Sequence, residues 1–314
     1  MLGGNLYETF FTKKYMWACL SSVFLLGSSS YILLKTFVLP QEIAAVESVS
    51  NETSTSTTDT KNTSNSSSFE PVITDNSYQD ENINITLSSE RVDETTVYVA
   101  DITVSDSSYL KTALANNTYG RNIKETTSAI AQEQQAILAI NGDYYGFRDT
   151  GYVLRNGTLY RDTPSEDETK EDLVIDKNGD FSIIKEAETS AEKLVEEDVQ
   201  QVLSFGPALV EDGEVTVSED EEVSQSMQSN PRTAIAQVGT NHYLVVVSEG
   251  RTDDSQGLSL SELATVLKNH GAKTAYNLDG GGSTTLYFNG KVINQTVGGS
   301  GNSERSVSDI VFIG

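Results

Sequence analysis

The chain has 314 residues, 37% of them hydrophobic, a formal net charge of −25 and a single cysteine, Cys19. That length holds one large or two ordinary domains. The charge argues against nucleic acid as a partner, whose phosphates would be repelled over the whole surface, and one cysteine excludes a disulfide framework or a cysteine metal site.

Residues 1–14 end in Lys13 and Lys14, after which Tyr15 to Leu34 form an uncharged, mostly apolar run with Trp17 and Tyr31 near its ends. Such a run is long enough to cross a bilayer, and the flanking lysines predict a cytoplasmic N-terminus. Lys35 can snorkel to the headgroups, and Pro40 ends the helix. We therefore expect a cytoplasmic segment 1–14, a membrane anchor 15–39, and an extracellular remainder. A secretory signal peptide cleaved near Ala44 and Ala45 is the rival reading, although the apolar run exceeds a usual signal core. Ser, Thr and Asn dominate residues 49–68, so 40–83 is expected to be a disordered linker. Its Asn-x-Ser/Thr triplets at Asn51, Asn62 and Asn65 fit glycosylation acceptors, but so Asn- and Ser-rich a segment yields them by chance as readily.

Residues 84–314 carry the globular signals. The apolar strand Ala136 to Ile140 runs into Asn141-Gly142-Asp143-Tyr144-Tyr145-Gly146, a polar turn at a strand end, where scaffolds present reactive groups. Tyr144 and Tyr145 suit sugar binding or core-edge packing. Acidic stretches at 165–172, 186–198 and 211–222 read as solvated insertions or edge loops. Gly206, in Ser204-Phe205-Gly206-Pro207, allows either a close approach to a ligand or a bulge. Arg232, in Asn230-Pro231-Arg232, opens the apolar strand Thr233 to Val238; it fits a phosphate clamp or a structural ion pair. After the strand Tyr243 to Val247, Glu249-Gly250-Arg251 and Asp253 to Gly257 border the same region.

Ser259-Leu260-Ser261-Glu262 is a capping box, and Leu260, Leu263, Val266 and Leu267 recur at helical spacing. Gly271 stands where a left-handed cap is expected, and Lys273 to Leu278 reads as a strand. That strand ends in Asn277-Leu278-Asp279-Gly280-Gly281-Gly282-Ser283-Thr284, with more glycine than a tight turn requires. It lacks both the P-loop lysine and the helix of a dinucleotide fingerprint. A hairpin through Asn289-Gly290 follows. Gly298 to Arg305 then precedes a last strand, Ser306 to Ile313; Glu304 and Arg305 offer an acid and a base, or a surface pair. His242 and His270 fall in no motif, so both are assigned to structure and acid–base work falls to carboxylates.

The ordered turns Asn141 to Tyr145, Ser204 to Pro207, Asn230 to Ala234 and Asn277 to Thr284, with Glu304-Arg305, resemble the phosphodiester glycosidase family from about Tyr98 onward. The resemblance implies a hydrolase that splits a sugar-1-phosphodiester into free sugar and phosphate monoester, acting on a cell-surface polysaccharide or glycoconjugate. Under it Asp279 and Asp143 are candidate base or nucleophile, with Glu304 a third. Arg232 and the amides of Gly280, Gly281 and Gly282 would hold phosphate, and Asn141, Tyr144, Tyr145, Gly206, Asn277, Ser283, Thr284 and Arg305 would line the site. A divalent cation such as calcium would find oxygens on Asp143, Asp253 and Asp279, although no EF-hand spacing or histidine cluster supports one. A non-hydrolytic binder or a transferase for phosphate-linked wall or capsule polymer is the competing class. The expected fold is one α+β domain with a mixed sheet and strands outnumbering helices; no oligomeric state is read from the sequence.

Overall fold

The computed structural model describes residues 13–45, 70–219, 229–299 and 303–314. The expected cytoplasmic residues up to 12, the triplets at Asn51, Asn62 and Asn65, and Ser300 to Asn302 of the glycine segment lie outside them. Helix α1, Lys13–Phe37, contains the apolar stretch Met16–Phe37. Its Trp17, Phe24, Leu26 and Phe37 side chains are exposed rather than packed into the protein. By length and composition it can cross a membrane; an N-terminal signal sequence answers to the same description.

Within the expected linker 40–83, the described residues include three short strands. Gln41–Glu42 pairs with Gly120–Arg121, and Val72–Ile73 and Ser77–Gln79 add two edge strands to Ile83–Val92. These strands are two or three residues long and are held by backbone pairing at an edge, with Val72 and Ile73 exposed, so no alternation of buried and exposed side chains marks them in the sequence.

The folded part is α+β with strands outnumbering helices, and where a mixed sheet was expected every described strand pairing is antiparallel. A nine-stranded sheet has at its centre Thr274–Asn277, Arg232–Gly239, His242–Ser248 and Thr95–Val104. Two five-stranded sheets pack against one face of it. One is centred on Gln201–Leu203, the other on Leu138–Asn141 beside Asp309–Ile313. Ile85, Ile102, Ile235 and Val245 of the large sheet meet Leu138, Ile140, Leu173, Leu203, Phe288 and Val311 of the others in one buried core.

Helix α2 (Thr127–Glu133) covers the outer face of the last sheet through Ile130 and Ala131. Helix α3 (Ala191–Glu196) covers the other small sheet through Leu194. Helix α4 (Leu260–Asn269) begins at the predicted capping box, with both the Ser259 and the Glu262 bonds made. Its Leu260, Leu263, Val266 and Leu267 pack on Val97, Ala234, Ala236 and Val246 of the large sheet. Truncating Leu263 to Ala would cost about 2–5 kcal/mol. Gly271 ends the helix at φ +87°, and Asn289 and Gly290 both have positive φ, as a type I′ hairpin demands. These strands deliver their ends, and the polar turns that follow, to one side of the core.

Candidate active site

Asn141 is the knot of the site. Its Oδ1 accepts from Thr233 Oγ1 at 2.9 Å and from the Thr285 amide at 3.3 Å, and its Nδ2 donates to the Asp279 carbonyl at 2.6 Å. Backbone bonds finish the joint: the Leu278 amide to Thr233 O, the Asp279 amide to Gly142 O, and the Gly281 amide to Pro231 O at 2.8 Å. Asn277 and Gly206 exchange two bonds, Nδ2 to the Gly206 carbonyl and the Gly206 amide to the Asn277 carbonyl. The turns at 141, 206, 231 and 280 therefore meet, because strand ends leave polar groups that must find partners when buried.

The glycine loop is close-packed. A Cβ on Gly280 would stand 2.8 Å from the Pro231 carbonyl oxygen, and Gly281 sits at φ +58° with the Arg251 guanidinium against it. Asp279 ends the strand with its side chain 13% exposed, and its Oδ2 accepts from Ser283 Oγ at 2.6 Å and Arg305 at 3.1 Å. Burial raises the Asp279 pKa above the usual carboxylate value, and Ser283 and Arg305 oppose the rise without cancelling it. Arg305, 44% exposed, also donates to Ser283 Oγ. On the other side Arg251 is exposed and holds Asn230 Oδ1 through Nε and one terminal nitrogen. An acid that resists ionisation, at a surface between two guanidiniums, can exchange a proton beside a bound anion.

Asp143 lies in a different environment. It has no exposed surface, and it contacts Arg155 at 3.0 Å and Arg148 at 3.6 Å while accepting from the Ser204 and Tyr145 amides. Burial pushes its pKa up, but Arg155, Arg148 and the Ser204 N–H overcome this and hold it at about 2. Arg155 also grips Asp309 Oδ2 through Nε at 3.0 Å and a terminal nitrogen at 2.8 Å. Burial and the Asp143 charge keep the Asp309 pKa raised to about 6, with Arg155 pulling the other way. Asp143–Arg155–Asp309 is a closed buried triad. The sequence reading missed Arg155 and Asp309; the available signal was a charge at one end of each of two apolar strands, Val153–Arg155 and Asp309–Ile313.

The remaining predicted residues separate by position. Tyr144 is 38% exposed, in a left-handed conformation at φ +75°, stacked on Phe147 at 4.6 Å. Tyr145 instead packs inside, 5.2 Å from the Tyr119 ring and under the Arg155 guanidinium. Arg232 is 3% exposed and donates Nε to the Leu258 carbonyl, so it lies beneath the loop while Arg251 and Arg305 flank it. Glu304 accepts from the Ser128 amide and hydroxyl at the start of α2, where a carboxylate complements the helix dipole. The Gly281 amide is bonded within the protein, and the Gly280 amide faces the Asp279 carboxylate; neither points outward as an anion cradle would require. Ser283 and Thr284 are buried beside Asp279.

The acidic stretches are not all solvated. Asp172 and Glu186 are buried side by side behind Ser204, and burial together with Glu186 raises the Asp172 pKa well above the ordinary value. Glu186 accepts from the Tyr152 amide at 2.6 Å. Local charge density had concealed a pair whose fit depends on a distant strand. His242 and His270 sit at the surface on Asp101 and Glu90. Among the described residues no group of three or more His, Cys, Asp or Glu side chains is placed to hold a metal; the Asp143 oxygens are occupied by arginines and amides.

A sequence model of the phosphodiester glycosidase family matches residues 134–314, more than half of the chain, and the chain belongs to that family. It is 27% identical over 200 residues to the SPbeta prophage-derived uncharacterized protein YomE of Bacillus subtilis (strain 168). That match covers 62% of this chain and 30% of YomE, so the chain spans less than a third of its relative's length. Among solved structures, the zebrafish N-acetylglucosamine-1-phosphodiester alpha-N-acetylglucosaminidase catalytic domain, auto-inhibited by its pro-peptide, superposes with a TM-score of 0.58 at 21% identity. It covers 74% of this chain and 82% of that one. A hypothetical protein from Synechocystis gives 0.51 at 17% identity, covering 74% and 62%. At these identities the structures are alike in fold alone.

Proposed function

We propose that the protein hydrolyses the glycosidic bond of a sugar-1-phosphodiester, releasing free sugar and a phosphate monoester, with the catalytic domain outside the cell behind the anchor 15–39 and its substrate a surface polysaccharide or glycoconjugate. The observation that carries the reading is the Asp279 carboxyl, part-exposed between Ser283, Arg305 and the Arg251 that lies on Gly281. The C1–O bond to phosphate breaks, the phosphate keeps the electron pair, and a water oxygen bonds to C1 while Asp279 takes its proton. A phosphate ester, whose second pKa is about 6, leaves with little acid assistance. The enzyme's task is thus to hold the anion and to support the positive charge developing at C1. Arg251 and Arg305 grip the phosphate, Arg232 braces the Pro231 turn beneath them, and Tyr144 offers a flat face to the sugar. Asp143 fixes the turn that carries Tyr144.

The test is incubation of the full chain with a sugar-1-phosphodiester, followed by phosphorus resonance and reducing-sugar assay. Monoester plus free sugar is the expected result. A new glycosylated acceptor would make it a transferase, and saturable retention without turnover a binder.

A further inference from the structure

On the other side of the 143–148 turn lies a cavity of about 260 Å³. It is smaller than the roughly 300–1,000 Å³ pockets that hold drug-sized ligands, and so has room for one small group. Three of the chain's eight arginines line it: Arg121, Arg148 and Arg161.

Each guanidinium is fastened elsewhere by part of its fork. Arg121 pairs with Asp149 through one terminal nitrogen. Arg148 donates to the Asp143 carbonyl at 3.1 Å. Arg161 donates Nε to the Gly151 carbonyl and a terminal nitrogen to the Arg148 and Tyr145 carbonyls. Each also keeps one buried nitrogen with no protein acceptor: Nε of Arg121, Nε of Arg148 and the second terminal nitrogen of Arg161. Buried donors are ordinarily paired, and three left over around one cavity, in a chain of net charge −25, are a positive site built against the prevailing charge. The acidic groups that face these arginines are Asp149, engaged with Arg121, the buried Asp143, whose carboxylate lies 3.6 Å from Arg148 and is shared with Arg155, and the exposed Asp162 at the edge. Burial lowers the Arg161 pKa, with Arg148 and Arg155 adding to the fall and Tyr119 and Asp143 opposing it.

One wall is aromatic. Tyr119 stacks on Tyr145 at 5.2 Å and meets Tyr160 at 4.8 Å. Ile43 and Ala44, just after the strand Gln41–Glu42 that pairs with Gly120–Arg121, complete the lining.

We infer that this cavity is a second anion site, separate from the glycine loop, which binds the phosphate of a phosphate ester through the spare N–H groups of Arg121, Arg148 and Arg161. Planar forks presenting several N–H groups match phosphate oxygens, and the tyrosine wall accepts the organic part of the ester. Either a soluble phosphate ester or a phospholipid headgroup meets that description; the strand Gln41–Glu42 places the cavity four residues beyond α1.

The site does not depend on the reading of the glycine loop, and its test removes that loop's contribution. The full chain in detergent, carrying Arg251→Ala and Arg305→Ala, is titrated calorimetrically with inorganic phosphate. One phosphate per chain is expected, and adding Arg121→Gln should weaken it roughly tenfold or more, the scale of one charge-assisted hydrogen bond. Arg148→Gln is the second variant, and thermal unfolding checks that each is folded. Absence of phosphate binding, or an affinity within twofold in both folded cavity variants, would overturn the proposal. Competition then identifies the source: displacement at lower concentration by short-chain phosphatidylglycerol than by glycerol phosphate marks a lipid headgroup, and the reverse order marks a soluble ester.

Discussion

Two aspartate–arginine clusters lie within a few residues of each other and behave oppositely. In the buried triad, Arg155 holds Asp143 at 3.0 Å and Asp309 at 2.8 Å with no exposed surface on either acid. At the glycine loop, Arg305 meets Asp279 at 3.1 Å with both side chains part-exposed. Asp143, held at about 2, is too weak a base to accept a proton near neutrality. Asp279 has an elevated pKa and a path to solvent. The same pair of residue types is thus scaffold in one place and a candidate for chemistry in the other. What separates them is the number of opposing charges and amides on each carboxylate.

The largest expected effect breaks the scaffold. Arg155→Leu leaves two carboxylates buried together, and removing one partner of such a set costs roughly 3–5 kcal/mol; thermal unfolding should fall by on the order of 10 °C. An unchanged melting temperature would mean the triad is not structural. Asp279→Asn tests the other cluster: turnover of a sugar-1-phosphodiester should drop on the order of 10³-fold, while melting stays within about 2 °C. A fully active, well-folded variant would end the assignment of Asp279.

Arg251→Ala sharpens the contrast further. It should raise KM about tenfold, the scale of one hydrogen bond to a charged group, with little change in melting; an equal loss in kcat alone would place Arg251 elsewhere. The smallest effects are in pH. With ionised Asp279 as base, rate rises with pH through its elevated pKa, and Arg305→Gln, which removes a group that lowers that pKa, should move the acidic limb upward. For stability the signs differ within the triad. Asp143 ionises more easily folded than unfolded, so its contribution is present above about 4 and is lost as pH falls towards 2. Asp309 holds its proton to about 6, so its contribution is full below about 4 and declines as pH rises to 6. Urea unfolding of Asp309→Asn across pH 4–6 should lack that decline.

Several elements were legible without coordinates because their signals are local. The capping box at Ser259, the left-handed cap at Gly271, the Asn289-Gly290 turn and the apolar strands need only neighbouring residues to form. The turns at Asn141, Pro231 and Asp279 announced themselves by glycine and polar residues at strand ends, and the structure joins them by hydrogen bonds. Asp172 and Glu186 were misread as solvated because the groups that cover and bond them, Tyr152 and Ser204, come from other parts of the chain.

The order of residues alone set the apolar helix, the sign of the surface, the strand ends and the family to which the chain belongs. Only the tertiary structure decided which aspartate is sealed and which reaches water, that Arg251 rather than Arg232 lies over the glycines, and that Tyr145 turns inward while Tyr144 turns out. The reason is physical: a carboxylate's basicity depends on what surrounds it in space, and those surroundings come from segments more than a hundred residues apart in the chain.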